Sequence, residues 1–86
     1  MPCVSDFYGI AIYMYYNDHV PPHFHAEHAG DEVEIEIGSL QIIRGGLKRR
    51  AIGLVLEWAA LHRDELAVNW MLARQGLPLE PIDGLD

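Results

Sequence analysis

Eighty-six residues, half of them apolar, make one domain (1–86) with enough apolar content for a packed core, and this excludes a disordered chain. A single cysteine, Cys3, excludes an internal disulfide and any Cys-rich zinc knuckle, so a reducing cytoplasm is the expected setting. The net charge of −7 disfavours nucleic acid or an anionic membrane as partner.

That average hides an asymmetry. Arg44, Lys48, Arg49 and Arg50 are four of the six cationic residues and fall within seven positions. The stretch MPCVSDFYGI lacks the basic start and apolar run of a signal peptide. FYGIAIYMYYN and AIGLVL are too short to cross a bilayer, so no membrane association is expected.

In chain order, FYGIAIYMYY (7–16) is aromatic and β-branched and predicts a buried strand. Asn17, Asp18 and the pair Pro21–Pro22 end it, because proline cannot donate to a ladder. HFHAEH (23–28) predicts the next strand, AGD a turn, and the strict alternation of EVEIEI (32–37) a return strand in a hairpin. SLQIIRGG adds the option of a short fourth strand at 40–43.

From Leu47 the apolar period changes. Ala51, Leu54, Val55, Trp58, Leu61, Leu66, Trp70 and Ala73 recur at three- and four-residue spacing, which predicts one amphipathic helix over 47–75. The fold class is therefore α+β: a three- to four-stranded, mainly antiparallel sheet packed on one face by a long C-terminal helix. At about 1.5 Å per residue that helix spans roughly 43 Å, whereas a domain of this size is about 30 Å across. Either it breaks near His62-Arg63-Asp64, where the apolar spacing lapses, or its end projects. With no glycine or proline to mark a break, a single helix is expected. Its projecting end, carrying Leu66, Trp70 and Leu72, would want a partner, most simply a second copy in a homodimer.

Four of the five histidines lie in DHVPPHFHAEH, residues 18–28. In the return strand Val33, Ile35 and Ile37 share one face, with Glu34 and Glu36 on the other. Phe24 and Ala26 match the apolar set, so His23 and His25 stand with Glu34 and Glu36, away from the helix. If the first strand buries Ile10, Ile12 and Met14, Tyr13 and Tyr15 join this polar face. Three readings of it compete: a solvated face with His–Glu pairs, a docking surface for a protein partner, and a metal site. Imidazoles at i and i+2 on a strand point to one side, and a carboxylate across the ladder would supply a third ligand, giving His23, His25 and Glu36. The pattern lacks both the HxHxH of histidine-triad hydrolases and the HExxH of zincins. His19 and His28 are expected in loop or turn positions.

RGGLKRR forms a second constellation. Helix-start amides are free donors, and with Arg44, Lys48, Arg49 and Arg50 they would make an anion site. The alternative is that these side chains are solvated and pair with glutamates. Trp58 and Trp70 read as core anchors, and Glu57 and His62, five residues apart, are poorly spaced for a catalytic pair. There is no nucleophile elbow, P-loop or dinucleotide fingerprint.

FYGIAIYMYYNDHVPPHFHAEHAG, RAIGLVLEWAALHRDELAVNW and ARQGLPLEPI together resemble the small bacterial family classed as domain of unknown function 4160, over about residues 1–82. The PPHFHA and EWxxLHxxELxxNW stretches carry the likeness. The resemblance implies a compact α+β domain in a bacterial cytoplasm. Relatives are often encoded beside another small protein, which implies a two-gene, toxin–antitoxin-like module. The expectation is thus a binding module acting through a small protein partner, with no cofactor unless a divalent metal occupies the histidine face. A metal-dependent hydrolase or nuclease using His23 and His25 is the alternative.

Overall fold

The computed structural model describes residues 2–16 and 18–86. Five strands, β1 (Cys3–Phe7), β2 (Ile10–Tyr13), β3 (His23–His28), β4 (Asp31–Glu36) and β5 (Ile42–Gly45), form one antiparallel sheet in sequence order. Two helices follow, α1 (Arg49–Leu61) and α2 (Arg63–Arg74).

The stretch expected as one strand over 7–16 is a hairpin. Phe7 pairs with Ile10 across a two-residue turn, Tyr8-Gly9, with φ of 52° and 76°. Positive φ at both central positions is the turn whose twist matches the flanking strands, and glycine adopts it without steric cost. Ala29-Gly30 closes β3 onto β4 in the same way, with φ of 51° and 86°. The expected fourth strand exists, shifted to 42–45. It ends at Gly45, where a Cβ would lie 2.3 Å from the Glu32 carbonyl oxygen, so only glycine lets the chain cross β4 this closely.

Alternation decides what each strand buries. Ile10, Ile12, Met14, Phe24, Ala26, Val33, Ile35 and Ile37 enter one core with Ala51, Val55, Trp58 and Ala59 of α1 and Leu66, Trp70 and Ala73 of α2. Trp58 is its centre: its ring meets Phe7 at 5.3 Å and Phe24 at 6.0 Å, and its indole N–H donates to the Asp83 carbonyl at 2.7 Å. Burying such a side chain stabilises by about 1.5–3 kcal/mol.

The single helix over 47–75 is corrected to two. His62 leaves helical geometry at φ −121°, ψ 24°, with its N–H returning to the carbonyls of Trp58 and Ala59. Its ring packs on Trp58 and its Nδ1 bonds Glu65, so the break is held by side chains rather than by glycine or proline. The physical reason is length. The molecule measures 33 × 25 × 22 Å, and a straight rod would carry Leu66, Trp70 and Ala73 out of the core that now contains them. The projecting end offered as a dimer contact is therefore absent, and the length argument for a second copy falls with it.

The segment after α2 is stitched back by polar groups. The buried Asn69 amide donates to Glu80 O and accepts from Glu80 N–H, both at 2.8 Å, and Ile82 N–H donates to Val4 O at 2.8 Å.

Candidate functional site

The period-two argument for β3 holds: Phe24 and Ala26 are fully buried on the helix side, and His23 and His25 alternate with them. The solvated face does not. His23 is 2% exposed and His25 7%. The connection between β2 and β3 folds over their rings, Tyr15 sets its ring against His25 at 4.4 Å, and Trp70 of α2 stands 5.4 Å from His23. Alternation reports which side chains share a face, while burial is decided by what lies over it.

The residue that organises the face is Asp18. Its Oδ2 lies 3.0 Å from His23 Nε2 and 3.1 Å from His25 Nε2. The other ring nitrogens are tied off by acceptors: His23 Nδ1–H donates to the Pro21 carbonyl at 2.7 Å and His25 Nδ1–H to Glu32 Oε2 at 2.8 Å. A carbonyl can only accept, so in a neutral His23 the proton is on Nδ1 and the Nε2 lone pair faces Asp18. His25 has a carboxylate at each nitrogen, Glu32 at Nδ1 and Asp18 at Nε2, and a neutral ring can donate to only one of them. When His25 donates to Glu32, two lone pairs and a carboxylate oxygen converge with nothing positive between them. His23 Nε2 is buried and, although near Asp18, is out of line for a hydrogen bond, so it is left without a partner. A proton on each Nε2 relieves the repulsion, and so does a cation.

Burial on its own would raise the Asp18 carboxyl. The hydrogen bond with His25, the charge of His23 and the His19 backbone N–H outweigh it and hold the group below the usual carboxylate range. Burial, then Glu32 and Glu27, pushes the Tyr15 phenol up, so it stays neutral beside the cluster; burial and then Glu27 do the same at Tyr13.

Asp18, His23 and His25 thus form the group able to hold a metal ion, their ligand atoms all lying within 4.8 Å of one another. Glu36, expected as the third ligand, is not part of this cluster, in which Asp18 supplies the carboxylate. It pairs with His23 in strand register, but its carboxylate is taken by the Ser39 hydroxyl. Glu34 sits opposite His25 and reaches within 3.7 Å of His23 Nε2, while the diagonal Glu32 makes the direct bond to His25. Tyr13 borders this face on β2 beside His25. His19 lies in the connection, as expected, whereas His28 is the last residue of β3 rather than a loop residue. The signal for it in the chain is D-x4-H-x-H, an acidic residue ahead of the histidine pair, at a position that pattern alone marks as a strand stop.

The basic cluster does not act as one unit. Lys48 and Arg50 line a cleft of about 540 Å³ with Tyr8, Ile10, His28 and Leu54. Arg49 is exposed at the start of α1, and Arg44, on β5, lies 3.9 Å from Glu34.

A family model described as a domain of unknown function, DUF4160, matches residues 9–71. The chain belongs to this family. The matched part of the DUF4160 domain contains Asp18, His23, His25, Glu32 and Trp70, so the whole cluster falls inside it. No curated protein and no solved structure matches the chain. Among the described residues no helix is long and apolar enough to cross a membrane.

Proposed function

We propose that the protein is a divalent-metal-binding domain, with the ion held by Asp18 Oδ2 and the Nε2 atoms of His23 and His25. One observation carries this reading: both Nε2 atoms converge on a single carboxylate oxygen at 3.0 and 3.1 Å while both Nδ1 atoms are bonded elsewhere. Ligands about 2.0–2.1 Å from an ion stand about 3 Å apart at adjacent positions, so the cluster is spaced for an ion to replace the protons. The Pro21 carbonyl and Glu32 do what outer partners of metal-bound histidine do: fix the ring's tautomer and orientation. Two imidazoles and a carboxylate suit zinc, manganese or ferrous iron rather than calcium or magnesium.

Three protein ligands leave the use of the site to the fourth position. Water there, its pKa lowered to about 7 by the ion, would serve a hydrolase or nuclease. A side chain there makes the ion structural. The test is titration calorimetry with zinc on protein lacking a histidine tag. Asp18→Asn and His25→Ala are expected to abolish stoichiometric binding and Glu36→Gln to leave it intact. Equal binding by all four proteins would overturn the reading.

A second reading rests on β5. All four of its residues are exposed, with Ile42 at 49% and Ile43 at 43% on an unpaired edge. Such an edge pairs with another strand. It is the surface for the small protein partner of a two-gene module, or for a second copy. Light scattering of wild type against an Ile43→Lys variant tests the self-association arm.

A further inference from the structure

We propose that His19 is the fourth ligand, swinging onto the ion held by Asp18, His23 and His25 and closing the coordination sphere. The inference rests on the metal-binding reading above and names the use of that site: a lock fastening the β2–β3 connection to the sheet, rather than an open catalytic centre.

Four observations converge on His19. Its backbone N–H already donates to Asp18 Oδ1 at 3.0 Å, so its Cα is anchored to the other oxygen of the ligating carboxylate. Its side chain is 84% exposed, with Nδ1 3.7 Å from Asp18 Oδ1, and among the described residues its ring makes no hydrogen bond. The other two rings are packed on by different neighbours, Tyr15 and Glu32 at His25 and Trp70 at His23, while His19 is the exposed one.

Ring spacing is the fourth. With ring nitrogens about 2.0–2.1 Å from a tetrahedral ion, two imidazoles sharing it have centroids about 5 Å apart. His23 and His25 stand 5.1 Å apart, already at that spacing. His19 and His23 stand 6.3 Å apart, about 1 Å too wide, a gap that side-chain rotation of an exposed histidine closes. Glu34 is the rival. Its carboxylate is 3.7 Å from His23 Nε2, but strand register fixes its backbone and Arg44 lies 3.9 Å from its other oxygen.

Cobalt(II) titration reads the geometry directly, because four-coordinate tetrahedral cobalt absorbs visible light far more strongly than five- or six-coordinate cobalt. Wild type is expected to show the intense tetrahedral band. His19→Ala, at an exposed position, is expected to lose most of that intensity and to bind zinc more weakly by at least the roughly 10- to 100-fold that loss of an outer partner costs. Glu34→Gln should change neither. An unchanged spectrum and affinity in His19→Ala would overturn the proposal while leaving the three-ligand site standing. So would loss of the band in Glu34→Gln alone, which would assign the fourth position to the carboxylate. A wild type that binds neither metal overturns both.

Discussion

The two faces of β3 are both buried, by different physics. On one, Phe24 and Ala26 are sealed by Trp58 and the aliphatic residues of β2 and β4, where every contact is apolar and the driving force is area removed from water. On the other, His23 and His25 are covered by a connection that brings the Asp18 carboxylate and the Pro21 carbonyl. The desolvation of two imidazoles is offset by hydrogen bonds at three of their four nitrogens, with His23 Nε2 left over. The first face tolerates any fill of the right volume. The second depends on one residue, Asp18, and on the charge placed between it and the rings. A polar strand face, then, need not be a wet one.

The largest expected difference lies on the apolar side. Phe24→Ala should lower the unfolding free energy by about 3–5 kcal/mol in urea denaturation, since a fully buried aromatic is truncated against neighbours that collapse only in part. A loss under about 1 kcal/mol would mean that this face is not the core.

Zinc should sharpen the contrast from the polar side. At free metal about 100-fold above the dissociation constant, linkage predicts about 2.7 kcal/mol of added stability in wild type, read as a rise in Tm that a chelator reverses. The same addition should leave an Asp18→Asn variant unmoved, and an equal rise in both would place the metal elsewhere.

Without metal, His25→Ala should cost about 1–2 kcal/mol, more than an exposed substitution, because Asp18 and Glu32 lose their shared partner. A cost indistinguishable from zero would show that the β2–β3 connection does not hold the face closed in solution.

The smallest effects belong to the basic residues. Lys48, Arg49 and Arg50 are exposed, and single alanine changes there should stay within about 0.5 kcal/mol. Sulfate should raise Tm above chloride at equal ionic strength only if the cleft beside Lys48 and Arg50 takes an anion, and a Lys48/Arg50 double alanine variant should remove that gain.

How much was legible follows the same division. The parity of β3 and β4, the antiparallel pairing and the apolar spacing of α1 and α2 are periodic, and periodicity is written in the chain. The Tyr8-Gly9 turn was not read, because both its flanks are apolar and a hairpin without polar punctuation looks like one long strand. The break at His62 stands in the chain only as a lapse of apolar spacing over 62–64. Without glycine or proline there, that lapse does not decide between a break and a projecting helix, and the finite width of the core does. Asp18 escaped because its partners lie five and seven residues on, brought back by a fold-over that the double proline suggests but does not specify.

The tail after α2 leaves the sheet lopsided. Through the Ile82–Val4 bond and the close passage of Gly84, whose Cβ position lies 3.0 Å from the Asp6 carbonyl oxygen, the outer side of β1 is occupied by the chain itself. Among the described residues, β5 is the sheet edge whose residues are all exposed. A sheet open at both ends can add copies without limit, whereas one open at a single end is used up by the first copy that docks there. Edge-to-edge association through β5 would then stop at a pair, and growth into fibres would need the tail removed first.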